Sequence, residues 1–271
     1  MPELSKDTVL CISLAGRPSN IGTRFHNFLY AELGLDFVYK AFTTSDIGAA
    51  IGGVRALGIR GCSVSMPFKE AVIPLVDRIE PSAAAIGSIN TIVNDGGVLT
   101  ASNTDYEAIA DLIDSHRLDP RASVLVRGSG GMAKAVVAAF HGAGFADVTV
   151  LARNAEAGSA LAAAYGFRWI ADDPEPGASI IVNVTPLGMD GADADALAFS
   201  PTLIDASRTV FDVVAFPAET PLIRAARAAG KNLITGAEVI ALQAAGQFAR
   251  YTGVTPSADQ VARASAHSRA S

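Results

Sequence analysis

Short runs of branched apolar residues alternate with amphipathic segments along the whole sequence. Strands joined through helices run parallel, so this alternation dictates an α/β class with a mainly parallel sheet. In the first third the strand candidates are Val9–Leu14, Phe37–Ala41, Gly61–Ser65 and Thr91–Val93. Helices are predicted over Thr23–Leu33, Ser45–Leu57 and Lys69–Val76. Asp95-Gly96-Gly97 is a turn signal that returns Val98–Ser102 as a hairpin partner. From Ser123 the pattern restarts, with strands Ser123–Gly128, Val148–Ala152, Ser179–Val184 and Thr209–Val214 and helices Gly131–His141 and Ala155–Tyr165. Tyr106–His116 spaces its apolar residues along one helical face and connects the two winds, while Val239–Arg250 is a further amphipathic helix. Asp190–Phe199, rich in Ala and Asp, reads as a surface loop.

The length of 271 residues suits two such domains of about 100–150 residues each. A net charge of −6 lacks the basic excess that a phosphate backbone demands, so nucleic acid is not an expected partner. The first residues mix acid and base ahead of a short apolar run, unlike a signal peptide, and no apolar run reaches the roughly 20 residues of a bilayer span. No membrane partner is expected. Cys11 and Cys62 stand in apolar strand contexts without metal-ligand spacing. They read as buried small hydrophobes in a reducing compartment, which points to the cytoplasm and to no metal site.

Gly128-Ser129-Gly130-Gly131-Met132-Ala133 follows one strand and opens a helix of small apolar residues. Glycines there permit positive φ and let backbone N–H groups approach a pyrophosphate, which the helix N-terminus also favours. The same residues occur in ordinary turns, and the strand before and helix after them favour the phosphate reading. The next strand ends in Arg153-Asn154, where an NAD site carries an acid for the ribose 2′-hydroxyl. A guanidinium suits a 2′-phosphate instead, so NADP is favoured, with NAD possible at lower affinity. A solvated arginine is the competing reading.

Two polar clusters fall at predicted strand ends. In Ser63-Val-Ser65-Met-Pro67-Phe-Lys69, Pro67 suits the first helical position and leaves Lys69 in a helical first turn, where a cation is out of pattern. Asn103-Thr104-Asp105 closes the hairpin strand, and Asp105 is either an N-cap for the connector helix, a proton-transfer group, or both. A Lys and an Asp brought together can exchange a proton with a substrate oxygen, the acid–base work that hydride transfer at a carbinol requires.

Taken in order, Ser65-x-Pro67-x-Lys69, Ile89-Asn90-Thr91, Asn103-Thr104-Asp105, Gly128-Ser-Gly-Gly131, Asn183-x-Thr185-Pro186-x-Gly188-Met189, Asp212-Val-Val214 with Pro217-x-Glu219-Thr220-Pro221-Leu222, and Gln243-x-x-x-Gln247-Phe248 resemble the motif set of the shikimate/quinate dehydrogenases. The stretch Ser13–Asn27 together with Ala41–Thr44 looks closer to the shikimate dehydrogenase-like branch. The resemblance implies two α/β domains with a cleft between them: a substrate domain of 1–104 plus 238–271 and a Rossmann-like NADP domain of 105–237. It implies that Lys69 and Asp105 transfer the proton. Ser19, Asn20, Ser65, Asn90 and Gln243 would bind substrate. Thr185, Met189 and Gly236 would lie near the nicotinamide, Val214 would bind the cofactor, and Arg153 and Asn154 would clamp the 2′-phosphate.

This chain departs from the family pattern in places. The family's carboxylate-binding Ser-x-Ser is reduced to Ser19-Asn20-Ile21-Gly22, its usual Tyr after Asp-Val-Val is Ala215 with Phe216 following, and Ala157 replaces a frequent second cation of the phosphate clamp. The implied activity is NADP-linked interconversion of shikimate, or a similar cyclic hydroxy acid, and its 3-dehydro ketone, with low activity on shikimate itself. Quinate or another polyol acid as substrate, and a catalytically weak ligand-binding relative, are the alternatives. The expected partners are a small-molecule substrate and, for a homodimer as opposed to a monomer, a second copy.

Overall fold

The computed structural model describes residues 4–270, which divide into two compact units, 4–104 with 241–270 and 105–240. The first unit carries β1 (Val9–Ala15), α1 (Ile21–Glu32), β2 (Phe37–Thr43), α2 (Ile47–Ala56), β3 (Gly61–Val64), β4 (Arg78–Ile79), α3 (Pro81–Ala84), β5 (Thr91–Asp95) and β6 (Val98–Ser102). Its sheet runs β2-β1-β3-β5-β6-β4. The β1–β2, β1–β3 and β4–β6 ladders are parallel, whereas β3–β5 and β5–β6 are antiparallel. The hairpin between β5 and β6 turns on Gly96 and Gly97, both at positive φ, as its sequence requires.

The second unit carries α4 (Thr104–Ser115, its first residue belonging to the other unit), β7 (Val124–Arg127), α5 (Gly131–Gly142), β8 (Val148–Leu151), α6 (Ala155–Ala164), β9 (Arg168–Ile170), β10 (Ile180–Asn183), α7 (Pro201–Ala206), β11 (Thr209–Asp212), α8 (Pro221–Ala228) and β12 (Asn232–Thr235). Its sheet is parallel throughout in the order β12-β11-β10-β7-β8-β9. The winding direction reverses between β7 and β10, the place where an open α/β sheet leaves a crevice beyond its strand ends. The long helix α9 (Gly236–Thr252) leads back to the first unit, where α10 (Ala258–Arg269) follows.

Three local expectations need correction. Lys69–Val76 is not an α-helix: the segment is a series of turns ending in a 3₁₀ turn at Ile73–Leu75. Pro74 lacks the N–H that a helix would direct at Glu70 and disfavours helical geometry in Ile73, so only the Val72 N–H reaches back four residues, to Phe68. Lys69 therefore does not occupy a helical first turn. Asp105 is not the cap of α4, because the helix already includes Thr104, and it lies within the first turn, where its charge complements the dipole. The Asp190–Phe199 loop is not wholly superficial, since Ala198 and Phe199 are buried in the core that covers β7, β10 and α7.

Helices α7, α8 and α10 went unassigned from the sequence although their starts are legible. Ser200-Pro201 and Thr220-Pro221 each pair a capping hydroxyl with proline at the first helical position, and Ser257 with Gln260 forms a reciprocal capping box. Helix α10 packs on α1, with Arg24 donating to the Ala270 carbonyl at 2.5 Å and Arg263 paired with Glu32.

Beneath α1 lies an aromatic cluster of Phe25, His26, Tyr30, Tyr39, Phe248 and Tyr251. A side chain at Gly61 would overlap the Tyr251 ring, which is why β3 begins with glycine. The fully buried His26 ring stacks on Tyr39 at 4.3 Å; its Nδ1 is 2.9 Å from the Gly22 carbonyl, and its Nε2 has no partner. Nδ1 therefore carries the hydrogen of a neutral ring, and burial pushes its pKa down to about 4. The unfolded chain binds this proton more readily than the folded one, so the contribution to stability is complete above about pH 6.5 and is lost as pH falls toward 4. The wild-type protein should lose roughly 3 kcal/mol across that window from this group. Denaturant titrations should show His26→Phe losing less stability than wild type between those pH values, and an unchanged slope would contradict the assignment.

Candidate functional site

In the first unit the polar residues converge on Asn90. Its side chain is buried, and its Oδ1 accepts from the Thr91 hydroxyl at 2.7 Å, the Thr104 N–H at 2.8 Å and the Thr104 hydroxyl at 3.2 Å. Its Nδ2 is also buried and has no hydrogen-bond partner. The carbonyl end is thus saturated by the fold, and the amide end is an unused donor. On either side, the Ile89 N–H donates to the Lys69 carbonyl at 2.8 Å, and Thr104 is the residue that precedes Asp105. The side chain of Asp105 is buried. Gln247, quoted above only as part of a motif, donates to the Thr91 hydroxyl at 3.2 Å and so anchors α9 beside this cluster. Gln243 lies one turn earlier on the same helix and is half-buried.

The remaining sequence-predicted residues of this unit are at strand and helix ends. Ser65 is exposed just past β3, and Ser19 and Asn20 are exposed at the start of α1, where Asn20 occupies the cap position without a side-chain cap bond. Sequence reasoning missed Tyr39 and gave Ser63 no role. The Tyr39 hydroxyl is 2.6 Å from Ser63 Oγ, and a Cβ added at Gly22 would lie 3.6 Å from that hydroxyl. A side chain at Gly22 would therefore begin in ordinary contact with the tyrosine ring and hydroxyl. An aromatic residue inside a strand has no polar signature in sequence, which is why it was passed over.

In the second unit the glycine turn leads from β7 into α5. Gly128 has φ of +128°, and a side chain there would press on Val184 at 2.8 Å. Gly130 and Gly131 differ: a Cβ at either meets nothing within 4 Å. Packing does not require glycine at those two positions, and the space they leave is open to a ligand. No side chain caps α5, and no acid stands in its first turn, so its N–H groups and dipole are available to an anion. A cavity of about 680 Å³ lies beyond these strand ends, lined by Gly128, Ser129, Gly130, Arg153, Asn154 and Thr185 among others. Arg153 is exposed, and the Asn154 side chain caps α6 by accepting from the Ala157 N–H at 3.0 Å.

The loops on the other side of the switch point are tied down by one polar network. Asn183 donates to Asp212 at 3.0 Å and accepts from the Thr185 hydroxyl at 2.6 Å and the Thr185 N–H at 3.0 Å. Asp212 also accepts from Thr220 at 2.5 Å and from the Val214 N–H at 3.2 Å. Burial raises its carboxyl pKa against the pull of these donors. Gly236 opens α9 so close to the Val213 and Val214 carbonyls that any side chain would collide with them. Thr235 and Glu238 cap that start reciprocally, with the Thr235 N–H 2.8 Å from Glu238 Oε2. Val214 and Gly236 are thereby brought together, whereas Met189 and Phe216 are exposed on the neighbouring loops. Among the described residues no group of His, Cys, Asp and Glu could hold a metal ion, and no helix is long and apolar enough to cross a membrane.

Comparison with known proteins decides the family. The chain is 57% identical over 267 residues, 98% of each chain, to a shikimate dehydrogenase-like protein of Haemophilus influenzae. The chain belongs to the shikimate dehydrogenase family. Residues 20–92 match the model of the shikimate dehydrogenase substrate binding domain. A solved shikimate 5-dehydrogenase-like structure superposes with a TM-score of 0.96 at 56% identity, covering 99% of this chain and all of that one, 100%. The shikimate 5-dehydrogenase of Thermus thermophilus, solved with NADP(H) and shikimate, gives 0.87 at 28% identity over 96% of this chain and 99% of that one. The shikimate dehydrogenase (NADP(+)) of Chlorobaculum tepidum is 36% identical over 84% of each chain. The two-domain α/β architecture expected from the family resemblance is the one these structures share.

The glycine turn makes a direct prediction. Gly128→Ala should cost about 1–3 kcal/mol of stability, because alanine is strained at that φ and crowds Val184, while Gly130→Ala should stay within about 1 kcal/mol of wild type. Chemical denaturation of the two variants checks it, and equal losses would contradict it.

Proposed function

We propose that this chain is an NADP-linked dehydrogenase that interconverts shikimate, or a shikimate-like cyclic hydroxy acid, and its 3-dehydro ketone. The observation that carries this reading is the buried Nδ2 of Asn90, a donor without a partner on a carboxamide whose Oδ1 is already taken by Thr91 and Thr104. An unsatisfied buried donor costs about 1–3 kcal/mol, which a substrate hydroxyl or carboxylate oxygen would recover. Ser19, Asn20, Ser65 and Gln243 are proposed as further substrate contacts. In this reading Lys69 and Asp105 hold and exchange the proton of the reacting hydroxyl. The cofactor supplies the hydride acceptor when bound. Gly128–Ala133 would hold its pyrophosphate and Arg153 its 2′-phosphate, and Thr185, Met189, Val214 and Gly236 would border its nicotinamide. With one cation in the clamp and Ala157 in place of a second, NADP is preferred over NAD but NAD is not excluded.

Steady-state kinetics with NADP and NAD against a panel of cyclic hydroxy acids tests the proposal. Slow, measurable oxidation of shikimate and little or none of quinate is expected. A shikimate kcat/KM of about 10⁵ M⁻¹s⁻¹ or more would contradict the expected low activity, since that is an ordinary enzymatic value. No NADP-linked turnover of any panel member would contradict the dehydrogenase reading. Lys69→Ala should lower kcat about 10²–10⁴-fold while leaving NADP affinity near wild type. Near wild-type kcat in that variant would remove Lys69 from the proton transfer.

The missing hydroxyl at Gly22 accounts for the low shikimate activity in this reading. A serine there would meet Tyr39 at ordinary contact distance and restore one hydroxyl to the pocket. Gly22→Ser should raise shikimate kcat/KM roughly 5- to 100-fold, the worth of one buried hydrogen bond. An unchanged or lower value would show that the pocket compensates elsewhere.

A further inference from the structure

We propose that Arg127 is the base platform of the cofactor pocket, its guanidinium plane stacking on the adenine that NADP and NAD share; the proposal rests on reading the cavity as a dinucleotide site. Arg127 ends β7 immediately before Gly128 and lines the cavity of about 680 Å³. Its guanidinium carbon lies 5.0 Å from the centroid of the Phe199 ring. Its Nη2 is paired with Asp173, its Nε is buried without a partner, and its side chain is 19% exposed. Enclosing a guanidinium is costly, and an apolar side chain would close the end of β7 without that cost. The chain nevertheless places a cation here and holds it from two sides, with the buried Phe199 ring against its guanidinium and the Asp173 carboxylate offsetting its charge.

That arrangement suits one part of a dinucleotide better than the others. A phosphate dianion beside Arg127 would also face the carboxylate of Asp173, so the paired guanidinium is a poor phosphate arm. A planar, weakly hydrated guanidinium with its charge already balanced is a good surface for a neutral aromatic ring. Arg153, exposed at the end of the next strand and without a carboxylate pair among the described residues, is left to read the 2′-phosphate. The two arginines thus divide the work: one holds the base and is indifferent to the phosphate, and the other distinguishes NADP from NAD.

Calorimetric titration of 5′-AMP, 2′,5′-ADP and nicotinamide mononucleotide, without turnover, separates these roles. Arg127→Leu should weaken 5′-AMP and 2′,5′-ADP by the same factor, roughly 5- to 50-fold, and leave nicotinamide mononucleotide unchanged. Arg127→Lys keeps the cation but loses the plane, should show the same pattern, and keeps the test decisive should the leucine variant fold poorly. Arg153→Ala should weaken 2′,5′-ADP alone. Loss of 2′,5′-ADP with 5′-AMP spared in the Arg127 variants, recovery of wild-type binding by lysine, or equal loss of all three ligands would each overturn the platform. Wild-type protein that binds neither adenine nucleotide would overturn the cofactor reading and this proposal with it.

Discussion

One carboxamide holds the first unit's polar residues in place. Asn90 Oδ1 takes hydrogen bonds from Thr91 and from both the backbone and the hydroxyl of Thr104, so the start of β5 and the first residue of α4 are fixed by a single acceptor. Gln247 adds α9 to the same cluster through Thr91. A carbonyl so loaded orients the amide, because turning it over would set an NH₂ group against the Thr104 N–H, which can only donate. The unused Nδ2 is therefore a fixed donor, and donors fixed before a ligand arrives lose little freedom when it binds.

The second unit uses the same economy with a carboxylate. Asp212 accepts from Thr220, Val214 and Asn183, and Asn183 in turn holds Thr185. The loops after β10 and β11 and the start of α8 are thereby fastened to two adjacent strand ends of a parallel sheet. The buried polar groups here hold the loops and leave backbone N–H groups and small residues at the cavity. Beside these loops Gly128 lies against Val184 and Gly236 against the Val214 carbonyl, two places where a side chain would collide.

The alternation of apolar runs and the strand–glycine–helix context were enough to read the α/β class and the position of the glycine turn between β7 and α5, because both depend on local period and backbone freedom. The hairpin at Gly96-Gly97 was legible for the same reason. What the sequence hid was decided by tertiary packing or by a single residue. Pro74 broke a helix that the pattern over Lys69–Val76 suggested. Tyr39 and Arg127 lie within strands, where an aromatic or cationic side chain gives no sign of whether it meets a serine, a phenylalanine or solvent. The buried Phe199 belonged to a stretch whose Ala and Asp content reads as surface. The motif residues Asn183, Asp212, Thr220 and Gln247 were visible as a pattern, but their work as scaffolding became visible only with their hydrogen bonds.

The central claim is that the fold leaves one fixed, buried amide donor for the substrate. Side-chain amide resonances of asparagine, followed in ¹⁵N–¹H spectra during a shikimate titration with NADP present, test it most directly. The Asn90 NH₂ pair, assigned by its loss in Asn90→Asp, should move with shikimate concentration to a saturating shift. Saturable shikimate binding that leaves the Asn90 pair unmoved would contradict the account.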